Sequence, residues 1–481
     1  MRMRWALEED SSAARYALQL LEALGVEAQR PVAAVPEHPA AGWARSGLMA
    51  LTGAADGAPQ MCPVPLTACA DGALAALASL APENALGDLR GSQLLTERAA
   101  IAGYSRRGAI SPGGSCRLLE AADGWLALNL ARDEDWALLP AWLEGASIGV
   151  GDWDSVARAL RERAPRALVE RGRELGLALA EGSPSPLAPP PRGGRGNSKS
   201  GLACSPSPPC DRRESRCRGT GEGFGRGGSR KALAARPPRV LDMSSLWAGP
   251  LCGHLLQLCG AEVIKLESLA RPDGVRRGPA QFFDLLNAGK RSVALDFGSA
   301  PGREQLRRLI LKADIVIEGS RPRALRQLGI HAEAMLEQNP ALTWVSISGH
   351  GRGERQENWV AYGDDAAVDA GLSQLMLEAT GQHLICGDAI ADPLTGLHAA
   401  LAAWAGYQAG GGGLISLALS GVVSDCIHFD LPPSPAALRE RQGQWLDHLR
   451  ATGIAAVCPR ARTAGAAARA LGADTDAVLA D

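Results

Sequence analysis

Aromatic side chains are scarce in this sequence. Phe, Trp and Tyr together make up 4% of 481 residues, while apolar residues of all kinds make up 46%. The core must therefore be built mainly from aliphatic side chains. No apolar run approaches the ~20 residues that a membrane-spanning helix requires. The opening residues MRMRWALEED lack the apolar stretch of a secretory leader. We therefore expect a cytoplasmic protein that does not contact membranes.

An excess of charge of either sign is also missing. The formal net charge is −2, which gives no surface-wide field that would attract nucleic acid. The eleven cysteines are scattered and none lies in a CxxC pair, so neither a disulfide framework nor a zinc site is expected. Cys252 and Cys259 fall within an apolar helical pattern and are interpreted as buried apolar side chains. We expect no nucleic-acid partner and no bound metal.

One stretch of the chain is rich in Pro, Gly, Ser and Arg. It covers residues 182–238 and begins close to SPSPLAPPPRGGRGNSKSG. Such a composition cannot bury enough apolar surface to offset chain entropy, so we predict a disordered linker. Its basic charge would also suit contact with RNA or a membrane, but we favour the solvated linker. The predicted flanking regions are an N-terminal segment with a small α+β domain, a large domain and a C-terminal helical segment (residues 1–181, 239–425 and 426–481).

Short apolar strands alternate with helical patterns after the linker. The candidate strands are RVLDM, EVIKLE, RSVALDF, DIVIEG and LTWVSISG. This alternation predicts a parallel sheet with right-handed crossovers, that is, a Rossmann-like α/β large domain. Before the linker, SCRLLEAADGWLALNLA places an Ala-Asp-Gly turn between two strand patterns and predicts a hairpin. The expected fold class is α/β, with a smaller α+β domain.

The loop SSLWAGP follows the first predicted strand of the large domain. Its Ala-Gly-Pro would let a ligand approach the backbone, and the next helix offers free N–H groups to a phosphate. No GxGxxG fingerprint of a nicotinamide or flavin site is present there. The loop alone is weak evidence, because most strand–helix turns bind nothing.

Four aspartates lie in two segments that precede apolar helical patterns. Asp364 and Asp365 are adjacent in GDDAAVDAGL, where capping of a helix is favoured over metal binding. Asp388 and Asp392 precede a helix that contains His398, which is interpreted as packed or hydrogen-bonded. From local sequence, Asp392 fits equally well as an N-cap and as a nucleophile stabilised at a helix N-terminus.

Several ordered segments resemble the family III CoA-transferases, which include formyl-CoA transferase, carnitine-CoA transferase and the α-methylacyl-CoA racemases. The segments cover most of residues 239–410. The N-terminal ISPGGSCRLLEAADGWLALNLARDEDWALLPAWL resembles the smaller domain of these enzymes, which the family normally places after the large domain. The chain therefore looks rearranged, or like a fusion of two partial copies. The five C-terminal segments are RVLDMSSLWAGPLCGHLLQLCGAEVIKLE, LLNAGKRSVALDF, ADIVIEGSRPRALRQLGI, NPALTWVSISGHG and TGQHLICGDAIADPLTGLHAALAAW.

The resemblance implies a covalent mechanism in which Asp392 attacks an acyl-CoA thioester and carries CoA as an aspartyl thioester. It implies coenzyme A or acyl-CoA as substrate, with no permanently bound cofactor, a carboxylic acid as acceptor, and a homodimer. The residues that would contact CoA follow from the same alignment: Leu246, Trp247, Ala248, Leu295, Gly319, Ser320, Arg321 and Asp364.

This sequence departs from the family pattern at three places. Ser268-Leu269 and Gly319-Ser320 stand where the family has Arg-Pro and Asn-Phe, and Asp364-Asp365 aligns with the His–Asp pair of the racemases. The missing histidine makes two-sided proton transfer at the α-carbon less favoured. An acyl-CoA racemase or isomerase, and a catalytically silent paralogue that binds CoA esters, remain alternatives.

Overall fold

The computed structural model describes residues 11–145, 148–182, 185–187, 202–206 and 236–481, with the backbone alone for 202–206. Most of the predicted linker, 182–238, lies outside the described residues. Within it, Leu202–Pro206 form a strand, which the composition did not predict. The predicted domain limits stay predictions.

The N-terminal part begins with five helices: α1 (Ser12–Leu24), α2 (Pro39–Ser46), α3 (Leu66–Leu80), α4 (Gly91–Leu94) and α5 (Glu97–Ala102). A three-stranded antiparallel sheet follows, in the order β1-β2-β3. The β1–β2 hairpin turns at Ala122 and Asp123 and confirms the predicted hairpin. The remaining elements of this part are β1 (Cys116–Ala121), β2 (Gly124–Asn129), α6 (Asp133–Ala137), α7 (Leu139–Trp142), α8 (Trp153–Leu160), α9 (Pro165–Leu175) and β3 (Ala178–Glu181).

The second part contains a seven-stranded sheet, the helices that connect its strands, and three further helices after the last strand. Its elements are β4 (Leu202–Pro206), β5 (Arg239–Asp242), α10 (Ala248–Leu258), β6 (Glu262–Ser268), α11 (Ala280–Asn287), β7 (Arg291–Leu295), α12 (Ala300–Lys312), β8 (Ile315–Glu318), α13 (Pro322–Gln327), α14 (Ala332–Gln338), β9 (Thr343–Ser348), α15 (Gly363–Asp369), α16 (Leu372–Thr380), α17 (Ala391–Gln408), β10 (Gly413–Ala418), α18 (Leu419–His428), α19 (Pro435–Thr452) and α20 (Thr475–Ala480).

The strand order of this sheet is β4-β10-β9-β8-β5-β6-β7. Strands β5 to β10 are parallel, which confirms the predicted parallel sheet, and β4 pairs antiparallel with the edge strand β10. Within the parallel part of the sheet, the chain first runs from the central strand β5 outwards to β6 and β7. It then returns to β8, which lies on the other side of β5. At such a reversal the loops that follow the two strands diverge and leave a crevice at their carboxyl ends.

Helix α17 lies at the centre of the largest hydrophobic core. Residues 393–406 are all buried, as expected for a helix that is apolar on every side. It packs on α10 of the second part and on α3 of the first. Side chains from both parts, such as Leu77 and Leu397, belong to one cluster. The two parts therefore share a core despite the long stretch between them.

In the described ranges no helix combines the length and the apolar character needed to cross a membrane.

Gly396 allows the close approach of α17 and α10, because a Cβ there would lie 2.7 Å from the Ala248 carbonyl oxygen. We expect Gly396→Ala to lower the free energy of unfolding by roughly 1–3 kcal/mol through overpacking. The matched control is Gly443→Ala in α19, where a Cβ meets nothing within 4 Å. That change should raise stability by up to ~1 kcal/mol. Denaturant midpoints measure both, and a fully stable Gly396→Ala protein would contradict the packing argument.

Candidate active site

Buried charged side chains support the loop after β5. Asp242 is fully buried and accepts hydrogen bonds from Lys290 Nζ at 2.8 Å and from the Ser244 backbone N–H at 3.0 Å. Lys265 Nζ donates to the Ser244 carbonyl oxygen. Burial alone would raise the pKa of Asp242, but Lys290 and Lys265 outweigh it and lower the pKa to about 2. The sequence analysis missed this network.

The same loop continues past three residues that were predicted to contact CoA. Asp273 Oδ1 accepts a hydrogen bond from the Leu246 N–H at 3.1 Å. Leu246 has a φ of 70°, in the left-handed region that a branched side chain rarely adopts. Its side chain is exposed, whereas Trp247 and Ala248 are buried. Leu246 is therefore the member of this set whose side chain is open to a ligand.

The loop after β8 lies against the loop after β5. A Cβ on Gly319 would lie 3.0 Å from Ser244 Cβ, so the two loops touch at the reversal of the strand order. Arg321 is exposed, and Ser320 Oγ lies 3.4 Å from Glu318 Oε1. Leu295 ends β7 with a buried side chain, and its carbonyl oxygen accepts from the Leu269 N–H at 3.0 Å. The structure thus gathers the β5 and β8 loops at one crevice and leaves Leu295 with no free side-chain surface there.

A cleft of about 1090 Å³ opens between the small domain and these loops. Three exposed guanidinium groups line it, those of Arg271, Arg277 and Arg321. No ion pair is recorded for these three within the described parts of the chain. Arg277 was not predicted, although the run Val-Arg-Arg before Gly278 was a visible signal. The exposed carboxylates of Asp133 and Glu134 also line the cleft, so the three arginines are the part of its lining that suits an anionic ligand.

The four aspartates of the two acidic segments come together beside this crevice. Asp364 lies in the first turn of α15, and its Oδ1 accepts a hydrogen bond from the Ala389 N–H at 2.7 Å. A Cβ placed on Gly363 would lie 2.2 Å from Asp392 Oδ2, so the first turn of α15 touches the first turn of α17. Asp388 belongs to the loop that leads into α17. Burial, with added repulsion from neighbouring carboxylates, raises the pKa values of Asp364, Asp365 and Asp392.

Asp392 is the most accessible of the four carboxylates. It is partly exposed, whereas Asp364, Asp365 and Asp388 are at most 3% exposed. Burial raises the pKa of Asp392 to about 6, Arg98 opposes this effect, and the N–H groups of two residues that flank the carboxylate, Gly363 and Ala248, also stabilise the anion.

The expected N-cap role of Asp392 is wrong in detail. Helix α17 begins at Ala391 with Ile390 as its N-cap, so Asp392 is the second helical residue. The capping prediction for the other pair is confirmed, because Asp365 Oδ1 accepts from the Tyr362 N–H at 3.0 Å in a capping box.

The pKa values of Asp364 and Asp365 are higher still. Burial, followed by the charge of Asp388, raises the pKa of Asp364 to about 7. Burial also raises the pKa of Asp365 to about 8, although Asn129 Nδ2 donates to its Oδ1 at 2.8 Å. Asp365 is therefore mostly neutral at neutral pH.

Two residues of this site come from the N-terminal part and were missed. Asn129 at the end of β2 contacts Asp365, and Arg98 in α5 donates two hydrogen bonds to Asp388, at 2.8 and 2.6 Å. No local motif marks either residue, since their partners lie more than two hundred residues away.

His398 is buried and takes no part in the crevice. Its Nδ1 lies 2.7 Å from the Leu394 carbonyl oxygen and its Nε2 lies 2.8 Å from the Tyr16 hydroxyl, as the packed interpretation predicts. Among the described residues, no group of His, Cys, Asp or Glu side chains is arranged to hold a metal ion.

Comparison with known proteins identifies the second part of the chain. Residues 238–451 match the model of CoA-transferase family III, and this range contains all four aspartates. The predicted resemblance to this family is thereby confirmed for these residues. The match starts one residue before β5 and ends within α19.

Curated relatives match over the same region. An acyl-CoA transferase of Fusarium pseudograminearum is 32% identical over 174 residues, covering 33% of this chain and 38% of the relative. A formyl-CoA:oxalate CoA-transferase of Rhodopseudomonas palustris strain TIE-1 is 33% identical over 223 residues, covering 44% of this chain and 50% of the relative. The chain thus spans half or less of the length of these two relatives.

Among solved structures, a CAIB/BAIF family protein from Brucella suis aligns with a TM-score of 0.36 and 27% identity, over 47% of this chain and 58% of that chain. A protein from Mycobacterium tuberculosis aligns with a TM-score of 0.37 and 26% identity, over 46% and 58% respectively.

The raised pKa of Asp365 predicts a pH-dependent stability. In the folded chain this carboxyl holds its proton up to about pH 8, whereas its ordinary pKa is 3.8. The folded state therefore binds more protons than the unfolded state between these values, and raising the pH through this window favours unfolding. Asn cannot ionise, so Asp365→Asn should gain at least ~1 kcal/mol relative to the native protein between about pH 5 and about pH 8.

Denaturant unfolding at several pH values measures this difference. Asp447→Asn, at an exposed position on α19, is the matched control and should show no such trend. A constant difference between Asp365→Asn and the native protein across the window would contradict the assignment.

Proposed function

We propose that the protein is a CoA-transferase that moves CoA from an acyl-CoA to an acceptor carboxylate through Asp392. The observation that carries this proposal is the environment of Asp392, a partly exposed carboxylate beside the crevice that lies against the first turn of α15 at Gly363. The family match and the names of the curated relatives support it. Dimerisation and the chemical nature of the acceptor remain expectations of the same resemblance.

The loop after β5 connects the arginine-lined cleft with Asp392. Asp273, which lines the cleft, accepts a hydrogen bond from the Leu246 N–H, and the N–H of Ala248, two residues later, helps to lower the pKa of Asp392. A ligand with phosphates among Arg271 and Arg321 could run along this loop and reach the carboxylate with its far end. Coenzyme A has this form, because its nucleotide carries the negative charge and its thiol lies at the end of a long neutral arm.

The proposed reaction keeps the thioester energy in covalent steps. The Asp392 carboxylate attacks the thioester carbonyl, a C–O bond forms, the C–S bond breaks, and CoA thiolate leaves an acyl–aspartyl anhydride. The thiolate attacks the aspartyl carbonyl and releases the first acid as its carboxylate. The acceptor carboxylate then attacks the aspartyl-CoA thioester and frees the thiolate again. Attack of the thiolate on the acceptor carbonyl gives the new acyl-CoA and restores Asp392.

The charge state of Asp392 suits this role. With a pKa of about 6 it is mostly ionised at neutral pH, yet it is more basic than an ordinary carboxylate and so a better nucleophile. Its position in the first turn of α17 fixes its direction, and proximity supplies much of the rate in such attacks. The N–H groups of Gly363 and Ala248 stabilise negative charge on the Asp392 carboxylate. They can likewise stabilise the charge that develops on an aspartyl oxygen when the thiolate attacks the aspartyl carbonyl.

The racemase or isomerase alternative is less well supported by this geometry. Two-sided proton transfer needs a second base that reaches the substrate. Asp364 is 3% exposed and Asp365 is fully buried, so neither is open to the substrate as Asp392 is. A silent paralogue would bind CoA esters without acylation of Asp392, which the following experiment distinguishes.

Asp392→Asn should abolish covalent capture of substrate. The native protein is incubated with a panel of acyl-CoAs, treated with hydroxylamine and digested. We expect a hydroxamate on the peptide that contains Asp392, found by mass spectrometry, and loss of CoA exchange of ~1000-fold or more in the variant. Asp476→Asn is the matched control, since Asp476 is also the second residue of its helix but is exposed and distant.

An adduct on another residue, or undiminished exchange in Asp392→Asn, would contradict the proposed nucleophile. Binding of acyl-CoA without any adduct would support the silent paralogue. Exchange of the α-proton with solvent deuterium, without CoA transfer, would support the isomerase.

Arg321→Ala should weaken CoA binding by roughly 10-fold, because a charge-assisted contact to phosphate is lost. Calorimetric titration with CoA at two salt concentrations measures the change, and the salt dependence should also become shallower. Arg323→Ala is the control, since Arg323 is equally exposed but does not line the large cleft. Equal losses in the two variants would show that general surface charge, rather than the cleft, binds CoA.

A further inference from the structure

Helix α5 carries two neighbouring charged residues that bind different segments of the chain. The buried Glu97 accepts hydrogen bonds from the guanidinium group of Arg462, at 2.6 and 2.9 Å. The next residue, Arg98, donates two hydrogen bonds to Asp388, at 2.8 and 2.6 Å. With both residues engaged, the position of the Arg98 guanidinium is closely determined.

The ion pair of Arg98 and Asp388 lies at the loop that leads into α17. Asp388 has no exposed surface, and both of its oxygens are bound by Arg98. The following residue, Ala389, has a φ of 45°, a left-handed conformation that a non-glycine residue keeps only when its surroundings enforce it. Its N–H donates to Asp364 Oδ1. The loop is therefore held in a strained form by the carboxylates on both sides of this turn.

Arg98 also faces the loop after β5. Its Cζ lies 5.5 Å from the centre of the Trp247 ring, and Trp247 belongs to the loop after β5. About one third of the Arg98 side chain is exposed. The guanidinium thus stands at the border between the buried aspartates and the open side of the crevice.

We propose that Arg98, contributed by the N-terminal part, is a positioning residue for the reaction: by clamping Asp388 it sets the direction of Asp392 and keeps it available as a carboxylate. This inference rests on the proposed function of Asp392. It assigns the N-terminal helices a role in the reaction that lies outside the region matched by the family model.

The surroundings of Asp392 explain why the charge of Arg98 has a large effect on its ionisation. Asp388 and Asp364 are close enough to repel a second carboxylate, and Arg98 opposes both of them. A nearby opposite charge lowers the pKa of a carboxyl group by roughly 1–3 units. The other titratable or polar groups that face this cluster from the elements packed around it are Asp365 and Tyr362 of the α15 turn, Cys116 of β1, Asn129 of β2 and Arg132 after β2.

The test is the pH dependence of Asp392 acylation in a single turnover with acyl-CoA in excess. In Arg98→Gln we expect the apparent pKa of the rate to rise by roughly one unit or more above the native value. The rate should therefore fall by ~10-fold near pH 6 and approach the native rate at alkaline pH. Arg98→Lys keeps the charge and should restore most of the profile.

Two further variants separate this effect from simple loosening of the fold. Arg98→Gln combined with Asp388→Asn removes both charges of the pair, so its profile should return towards that of the native protein. Arg239→Gln breaks a partly buried ion pair, with Glu262, that involves neither α5 nor the four aspartates, and its profile should be unchanged. An equal loss of rate at every pH in Arg98→Gln, with no recovery in the double variant, would overturn the proposal and leave Arg98 a structural residue.

A readout without turnover separates this inference from the proposed function. Carbon-13 NMR of labelled aspartate carboxyls follows the titration of Asp392 directly, with Asp392→Asn used to assign its signal. If the native protein forms no adduct, the proposed function fails, yet a raised pKa of Asp392 in Arg98→Gln would still support the electrostatic role of Arg98. An unchanged titration in that variant would contradict the role even if Asp392 is acylated.

Discussion

The site depends on how buried negative charge is balanced. Asp364, Asp388 and Asp392 meet beside the guanidinium of Arg98, and burial costs each carboxylate its hydration. One cation cannot compensate three anions, so the carboxylates that are compensated least keep a proton up to a higher pH. Arg98 donates hydrogen bonds to both oxygens of Asp388, so its positive charge mainly compensates that carboxylate. Asp364 and Asp392 are left with raised pKa values, and Asp392 is the one that remains in contact with solvent.

A second group of buried charges in the same domain behaves in the opposite way. Asp242 lies between Lys290 and Lys265, and its pKa falls to about 2 although it is as buried as the other acids. These pairs make a rigid base for the loop after β5, with its strained Leu246. Identical side chains therefore differ in role because their neighbours differ. Balanced charges fix the backbone that a ligand would follow, whereas the unbalanced carboxylates provide a group that can react.

The sequence predicted those parts of the fold that local patterns determine. Runs of apolar residues located the parallel strands, and the Ala-Asp-Gly turn located the hairpin. The order of the strands, seen in the structure, explains why the loops at Leu246 and Gly319 meet. The proposed role of Asp392 came from the ordered resemblance rather than from its local sequence, and the N-cap expected at Asp392 lies two residues earlier, at Ile390. Arg98 could not be found in this way, because its partner lies 290 residues away and nothing local marks it. Leu202–Pro206 were missed because pairing with the edge of a sheet, rather than composition, determines that strand.

The three-stranded sheet precedes the seven-stranded sheet in the chain, and this order is compatible with a complete site because the two parts share one core. Helix α17 packs against α10 on one side and against α3 from the N-terminal part on another. Movement of the N-terminal helices would therefore disturb the helix that carries Asp392. The Glu97–Arg462 pair adds a second connection, to a segment beyond the last residue matched by the family model. Arg98 lies between these two restraints. A guanidinium that must hold a buried carboxylate within hydrogen-bond distance needs such a support, since a shift of about 1 Å would break its charge-assisted hydrogen bonds.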